Sequence, residues 1–235
     1  MTVAAVILAA TPASALADAD GTPVVRRLAD VAWAGGSTPV VVCAADPDGA
    51  VAAAIATTGA TLSAPVARER GPVGQITAGI DAAVRLVAAT DAALVWPARL
   101  AWVDAETVTT LIAAHGEDRA AVLRPAFRGE AGFPALVPVS ALEQLRGLGA
   151  DRMPADLLDD LAAAGVPVRL VDTGDPGVTH DIGTARSSLP SFDGPPEPED
   201  GVIRDWGAGT ADEPDDASPR GPLPGSAGSA THEPA

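Results

Sequence analysis

Lysine is absent from the 235-residue chain, and all 15 of its basic residues are arginines. A flexible ammonium point charge, a common partner for phosphate, is therefore excluded. Asp and Glu number 31, giving a formal net charge of −16. No basic surplus is left to neutralise a nucleic-acid backbone, and an anionic membrane surface is disfavoured for the same reason. The single cysteine, Cys43, rules out an internal disulfide and a cysteine-rich metal site. It lies in the apolar run Pro39–Ala44, where a buried, inert thiol is expected rather than a nucleophile. Aromatic side chains make up only 3% of the chain against 47% hydrophobic residues, most of them Ala and Val. Such a core must draw its stability from close backbone approach and many small contacts.

The first of the apolar runs, Val3–Ala10, carries no charge and is followed by Thr11-Pro12-Ala13-Ser14. As a buried parallel strand it would deliver the next loop to the carboxyl edge of a sheet, where α/β proteins place their ligands. A secretory signal is the competing reading, with Ala13-Ser14-Ala15 as its cleavage site. Against it, no Lys or Arg precedes the run, and the run is too short to span a bilayer.

Strand and helix patterns alternate downstream. Val25, Leu28, Ala29 and Ala32 recur at helical spacing within Thr22–Ala34, and Gly35-Gly36 stops that helix. Pro39–Ala44 reads as a second strand, and Asp46-Pro47 as the cap and first turn of a helix reaching Ala56. Thr61–Val66 reads as extended and Arg68–Gly71 as an exposed loop. A helix over Gln75–Ala89, a strand over Asp91–Trp96 and a helix over Asp104–His115 follow. Strands are expected at Ala120–Arg124, Phe133–Val137 and Val166–Val171, with short helices at Ala141–Leu148 and Pro154–Ala164. The alternation predicts a three-layer α/β fold around a mostly parallel sheet, with a small mixed or antiparallel extension near the site.

From Ser188 onward Pro, Gly and carboxylates dominate and no periodic apolar face remains. The expected division is a folded domain over residues 1–187 and a disordered acidic tail over 188–235. Val202-Ile203 with Trp206 is the one stretch of that tail suited to docking a protein partner.

The order of these segments resembles the MobA-like nucleotidyltransferase family, which includes the cytidylyl- and guanylyltransferases of molybdenum-cofactor synthesis. Leu8-Ala9-Ala10 agrees with the family's Leu-Ala-Ala-Gly opening and Ser14 is near the place of its loop serine. Thr11 stands for the Gly, Ala15 for the Arg, Ala17 for the next Gly and Asp20 for the Lys. Thr and Pro restrict the backbone and Pro12 removes an amide, while Asp20 would repel a triphosphate. Gly74-Gln75-Ile76-Thr77-Ala78-Gly79-Ile80 is similar to the family's Ser-Leu-Arg-Ala-Gly-Leu helix start, where free amides would meet an anion. A capped helix packing small residues on the sheet accounts for it equally well. By the resemblance, Ala9, Ala10, Thr11, Ser14, Ala78 and Gly79 are the residues that would line a nucleotide site.

The segment Pro97-Ala98-Arg99-Leu100-Ala101-Trp102-Val103-Asp104 corresponds to the family's Pro-Ala-Asp stretch, whose Asp holds the catalytic Mg²⁺. Arg99 takes that position, and a guanidinium repels the ion instead of ligating it. Arg124-Pro125 through Gly132-Phe133-Pro134 matches the acceptor-side segment, with Phe133 for the family His; Arg124 and Arg128 are the candidate acceptor contacts beside Arg99 as a phosphate contact. His180-Asp181-Ile182-Gly183-Thr184 resembles the closing His-Asp-Ile-Asp-Thr, with Asp181 as the surviving carboxylate and Gly183 replacing the other. A salt bridge from Asp181 to Arg99 would close the former metal position, and His180 reads as structural.

The resemblance implies the Rossmann-like nucleotide-diphospho-sugar transferase type of fold. It implies a family reaction that moves a nucleoside monophosphate from an NTP to a phosphorylated acceptor with Mg²⁺. The replaced residues predict that this transfer is absent or weak; a cytoplasmic location is expected. A binding or regulatory role toward a nucleotide, a small phosphorylated ligand or a protein partner would remain. The alternatives are a working nucleotidyltransferase with a rearranged arginine site, using Mg²⁺ and an NTP, and a secreted acidic binding protein.

Overall fold

The computed structural model describes residues 1–196. In chain order it forms β1 (Thr2–Leu8), α1 (Pro12–Ala15), β2 (Asp18–Ala19), β3 (Thr22–Pro23), α2 (Val24–Ala34), β4 (Val40–Cys43), α3 (Ala50–Ile55) and β5 (Thr61–Ser63). There follow α4 (Gly71–Leu86), β6 (Thr90–Pro97), α5 (Ala105–Glu117), β7 (Val122–Phe127), β8 (Glu130–Ala131) and β9 (Ala135–Pro138). The last elements are α6 (Leu142–Arg146), α7 (Pro154–Ala163) and β10 (Val168–Asp172).

The main sheet runs β10-β7-β9-β6-β1-β4-β5, with β8 attached to β7 and β2–β3 a separate hairpin. β1 lies parallel to both β4 and β6. Its edges are therefore paired and α2 and α4 pack on it, which is why an uninterrupted apolar run fits and an alternating one would not. Val3 through Ile7 are all buried. β9 runs antiparallel to β6 and to β7. Only the tight β7–β8 turn and a few residues separate β7 from β9, too little chain for a parallel crossover. The expected antiparallel extension is thus a consequence of loop length.

α2 and α4 each pack on β1 and β4; α2 also meets α3 and α5, while α4 meets α6 and α7. Those are the two outer layers. Small residues set their distance from the sheet. Gly79 of α4 is where a Cβ would collide with Val6 and the Cys43 sulfur, and Gly35 is where one would collide with Val108 of α5. Burial pushes the Cys43 thiol up to about 12, so it is inert at neutral pH.

Two boundaries differ from expectation. Asp46 does cap α3, accepting from Val51 N at 2.8 Å and Ala52 N at 3.0 Å, but the helix starts only at Ala50 because Gly49 turns the chain at φ +79°. α4 starts at Gly71, a turn ahead of Gln75, because Pro72 occupies its first turn, where a missing amide costs nothing; a 3₁₀ turn over Arg68–Arg70 leads into it. The stretch 188–196 lies against the domain: Asp193 N donates to Gly174 O at 3.0 Å. The remainder of the acidic tail, including Val202-Ile203 and Trp206, lies outside the described residues. Among the described residues no helix is long and apolar enough to cross a membrane.

Candidate functional site

The carboxyl ends of β1 and β6 lie side by side, Leu8 opposite Pro97, and Ala98 N donates to Leu8 O at 2.9 Å. The loops that follow these strands must therefore share one edge. The first, Ala9–Ala17, is closed on itself. Thr11 Oγ1 accepts from Ser14 N at 3.1 Å while Thr11 N donates to Ser14 Oγ at 3.0 Å, a reciprocal capping box around the single turn of α1. Ala15 N is bonded to Thr11 O and Pro12 has no amide to offer. The amides of Thr11 and Ser14, which a phosphate-cradling loop would leave free, are both occupied.

Of the other candidate nucleotide-site residues, Ala9 is buried with its amide on Cys43 O, Ala10 is exposed, and Ala78 is half-buried. Gly79 is buried against β1 and β4, where the lack of a side chain is a packing requirement. The free amides expected at Gly74–Gln75 do not exist there. With α4 beginning at Gly71, Gln75 already stands inside the helical ladder, and its side chain accepts from Val66 N at 3.2 Å.

By sequence order Asp20 takes the place of the family's cationic loop residue. In three dimensions Asp20-Gly21 is the turn of the β2–β3 hairpin, at φ +54° and +80°. Asp-Gly between short extended segments is the signature of that turn, a signal present in the sequence. Asp20 pairs with Arg186 at 3.6 Å.

Arg99 stands just past the carboxyl end of β6, and its carbonyl accepts from Ile182 N at 2.8 Å. Its guanidinium lies 4.0 Å from Asp181, the two side chains 63% and 47% exposed. The expected pair is formed, loosely and in solvent. Asp181 Oδ1 also accepts from Gly183 N at 2.9 Å. Among the described residues no three His, Cys, Asp or Glu side chains are grouped to hold a metal. One half-exposed carboxylate facing a guanidinium does not fit the oxygen-rich, cation-free shell that Mg²⁺ demands.

Arg124 and Arg128 leave β7 in different directions. Arg124 is largely buried, 6.0 Å over the Phe133 ring and 3.7 Å from Asp159 of α7, with its Nε unpaired. Arg128 stands exposed on the β7–β8 turn, 4.8 Å over Phe127 and 3.9 Å from Asp193. His180 is held in place by local contacts: its Nδ1 lies 2.8 Å from Pro176 O and its ring meets Phe127 edge-on.

Three residues not singled out by sequence complete the edge. Asp175 is buried and accepts from Asp104 N, Thr107 Oγ1 and Gly177 N at 2.7–2.8 Å, tying the closing segment to the start of α5. Burial pushes its carboxyl up, and the three donors partly oppose this. Asp104 caps α5 as expected, accepting from Glu106 N. Trp102 donates Nε1 to Thr184 O at 2.9 Å. Arg27 lies 5.5 Å over its ring and donates Nε to Ala101 O at 2.8 Å. Trp102, Ile182, Ala185, Arg186 and Asp20 line an open cleft of about 520 Å³.

The family model of the MobA-like NTP transferase domain matches residues 5–166. Solved structures share the fold at low identity. A nucleotidyl transferase from Methanothermobacter thermautotrophicus is 18% identical with a TM-score of 0.59, over 77% of this chain and 91% of that one. The 4-diphosphocytidyl-2C-methyl-D-erythritol synthase of Anaerococcus prevotii is 12% identical with a TM-score of 0.60, over 78% and 93%. Rv0371c of Mycobacterium tuberculosis H37Rv, solved with manganese, is 16% identical with a TM-score of 0.57, over 74% and 89%. No curated protein matches the chain.

Proposed function

The chain belongs to the MobA-like NTP transferase family, and from that premise we propose that it keeps the family's scaffold for binding or regulation, with Mg²⁺-dependent nucleotidyl transfer absent or weak. The observation that carries this reading is the guanidinium of Arg99 at the carboxyl end of β6, facing the single carboxylate of Asp181. Phosphoryl-type transfer relies on positioning and on cations that offset developing charge, not on a covalent intermediate. A fixed positive charge in place of an oxygen ligand removes the metal's seat. The self-capped Thr11–Ser14 turn occupies two of the loop amides that could otherwise face a triphosphate, and Pro12 lacks a third. What the edge offers instead is a set of arginines suited to a small phosphorylated ligand or to a partner's carboxylates.

Calorimetric titration with the four nucleoside triphosphates, with and without Mg²⁺, tests the proposal beside an assay for pyrophosphate release. No magnesium-dependent micromolar binding and no release are expected. Arg99→Asp should acquire Mn²⁺ binding while still releasing no pyrophosphate, because the self-capped Thr11–Ser14 turn around α1 is unchanged. Magnesium-dependent release by the unmodified chain would overturn the reading.

A further inference from the structure

Strand β10 ends the main sheet on one side and β5 on the other. β5 has only three residues, whereas β10 runs in unbroken register with β7 from Val168 to Asp172. It carries no bulge and no proline, two devices that commonly blunt an exposed edge. Val122 N donates to Pro167 O and Thr173 N to Ala126 O, so the odd-numbered residues turn their backbone groups toward β7. Val168, Leu170 and Asp172 turn theirs outward. Among the described residues no other segment bonds to those outward groups. The chain uses this edge once itself: just past the strand, Asp193 N donates to Gly174 O at 3.0 Å.

The side chains of β10 sort by face. Arg169 donates to Ala114 O of α5 and lies 3.9 Å from Glu117, which balances its charge. Alternation sends Leu170 to the opposite face, the side of α7, where it is 52% exposed. Its ladder neighbour there is Arg124, largely buried and 3.7 Å from Asp159. On this side the exposed carboxylates of Asp156, Asp159 and Asp172 outnumber that one guanidinium. An apolar contact flanked by surplus negative charge suits an extended basic segment. It suits a second copy of the chain poorly. An antiparallel pair centred on Leu170 would set the two Arg169 side chains diagonally and bring like-charged α7 helices together.

We infer that β10 is a docking edge for an extended, basic segment of a partner protein, which adds to the sheet as an antiparallel strand. The segment's main chain bonds to Val168, Leu170 and Asp172, and one of its apolar side chains covers Leu170. Its lysines or arginines meet the carboxylates on the α7 side. Main-chain bonds supply the affinity and the side chains select the partner. β7 and β9 separate this edge from β6 and the loops at its carboxyl end. The inference therefore stands whether or not nucleotidyl transfer is detected.

The probe is the end-blocked peptide Lys-Thr-Leu-Thr-Lys, added to the full chain and followed by hydrogen exchange. In antiparallel register its lysines and leucine fall on the α7 side. Without peptide, the outward amides of Val168 and Leu170 should exchange rapidly. Saturating peptide should slow both by about tenfold, with a Kd on the order of 1 mM because a short peptide must order itself on binding. N-methylation of its leucine removes the donor aimed at Leu170 and should abolish binding. N-methylation of a threonine, whose amide points away from β10, should not. Replacing both lysines by glutamates should weaken binding by about tenfold or more. Leu170→Pro deletes one outward amide, leaves the β7 ladder whole, and should abolish binding with the urea midpoint nearly unchanged. Unchanged exchange at Val168 and Leu170, equal binding of the leucine-methylated peptide, or equal binding of the glutamate peptide would overturn the inference. So would slow exchange in the chain alone, meaning an edge already covered, or dimers in sedimentation that Leu170→Pro disperses.

Discussion

Asp175 and Asp181 stand on one short segment, yet they belong to two different regions of the molecule. Asp175 is sunk against the start of α5, with donors at 2.7–2.8 Å filling its acceptor sites. Asp181 stands half in solvent, with one amide and a guanidinium at 4.0 Å. The first aspartate is part of the interior's packing and polar satisfaction; the second is part of an exchangeable surface. The same contrast separates the Ala/Val sheet, where a single methyl is felt, from the carboxyl edge, where charges can be rearranged at little cost. The sheet is held by apolar packing, so the charges at its carboxyl edge can differ without disturbing the fold.

The most severe way to probe the interior is Gly79→Val. The added side chain meets Val6 and the Cys43 sulfur, and a loss of about 3 kcal/mol or failure to fold is expected in urea denaturation. Asp175→Ala should cost about 2 kcal/mol by the same measurement, since three buried donors lose their acceptor together. A loss below about 0.5 kcal/mol would erase the distinction drawn between the two aspartates.

A third probe uses pH. His115 is buried on α5 with neither ring nitrogen hydrogen-bonded. Burial keeps it below the ordinary histidine range, Arg119 acting the same way and Asp91 and Asp118 opposing. As pH falls below about 6.5, the unfolded chain takes up a proton that the folded chain refuses, so stability declines. Urea midpoints between pH 7.5 and 5 should show this decline, and His115→Leu should flatten it; an equal slope in both chains would refute the assignment.

Effects at the edge should be smaller. Thr11→Ala removes one half of the capping box and should cost about 1 kcal/mol. Asp181→Asn should change the midpoint by no more than about 0.5 kcal/mol. A large loss for Asp181→Asn would mean that the edge is structural after all.

Much of the fold was legible in the chain itself. The apolar run Val3–Ala10 announced a buried strand, which ends at Leu8; Val25, Leu28, Ala29 and Ala32 announced one face of α2, and Asp104 announced the cap of α5. The candidate site was less legible. Arg99 and Asp181 were named as partners because each sat in a recognisable motif, and they do stand together. Asp20 was misplaced: its neighbourhood in sequence pointed to a phosphate loop, whereas its Asp-Gly step made a hairpin turn. Arg27 and Arg186 carried no local signal, since each acts through a contact with a residue far along the chain; Asp175-Pro176 carried the signal of a capped turn, but nothing local pointed to its contacts with Asp104 and Thr107.

The sequence by itself determined which segments must be buried, because periodicity and charge act over a few residues and the solvent imposes them locally. Composition likewise determined that any permanently charged cationic side chain at the site would be an arginine. Only the tertiary structure decided which carboxylates Arg124, Arg128 and Arg186 would face, because Coulomb interactions depend on distances between loops that the sheet alone brings together.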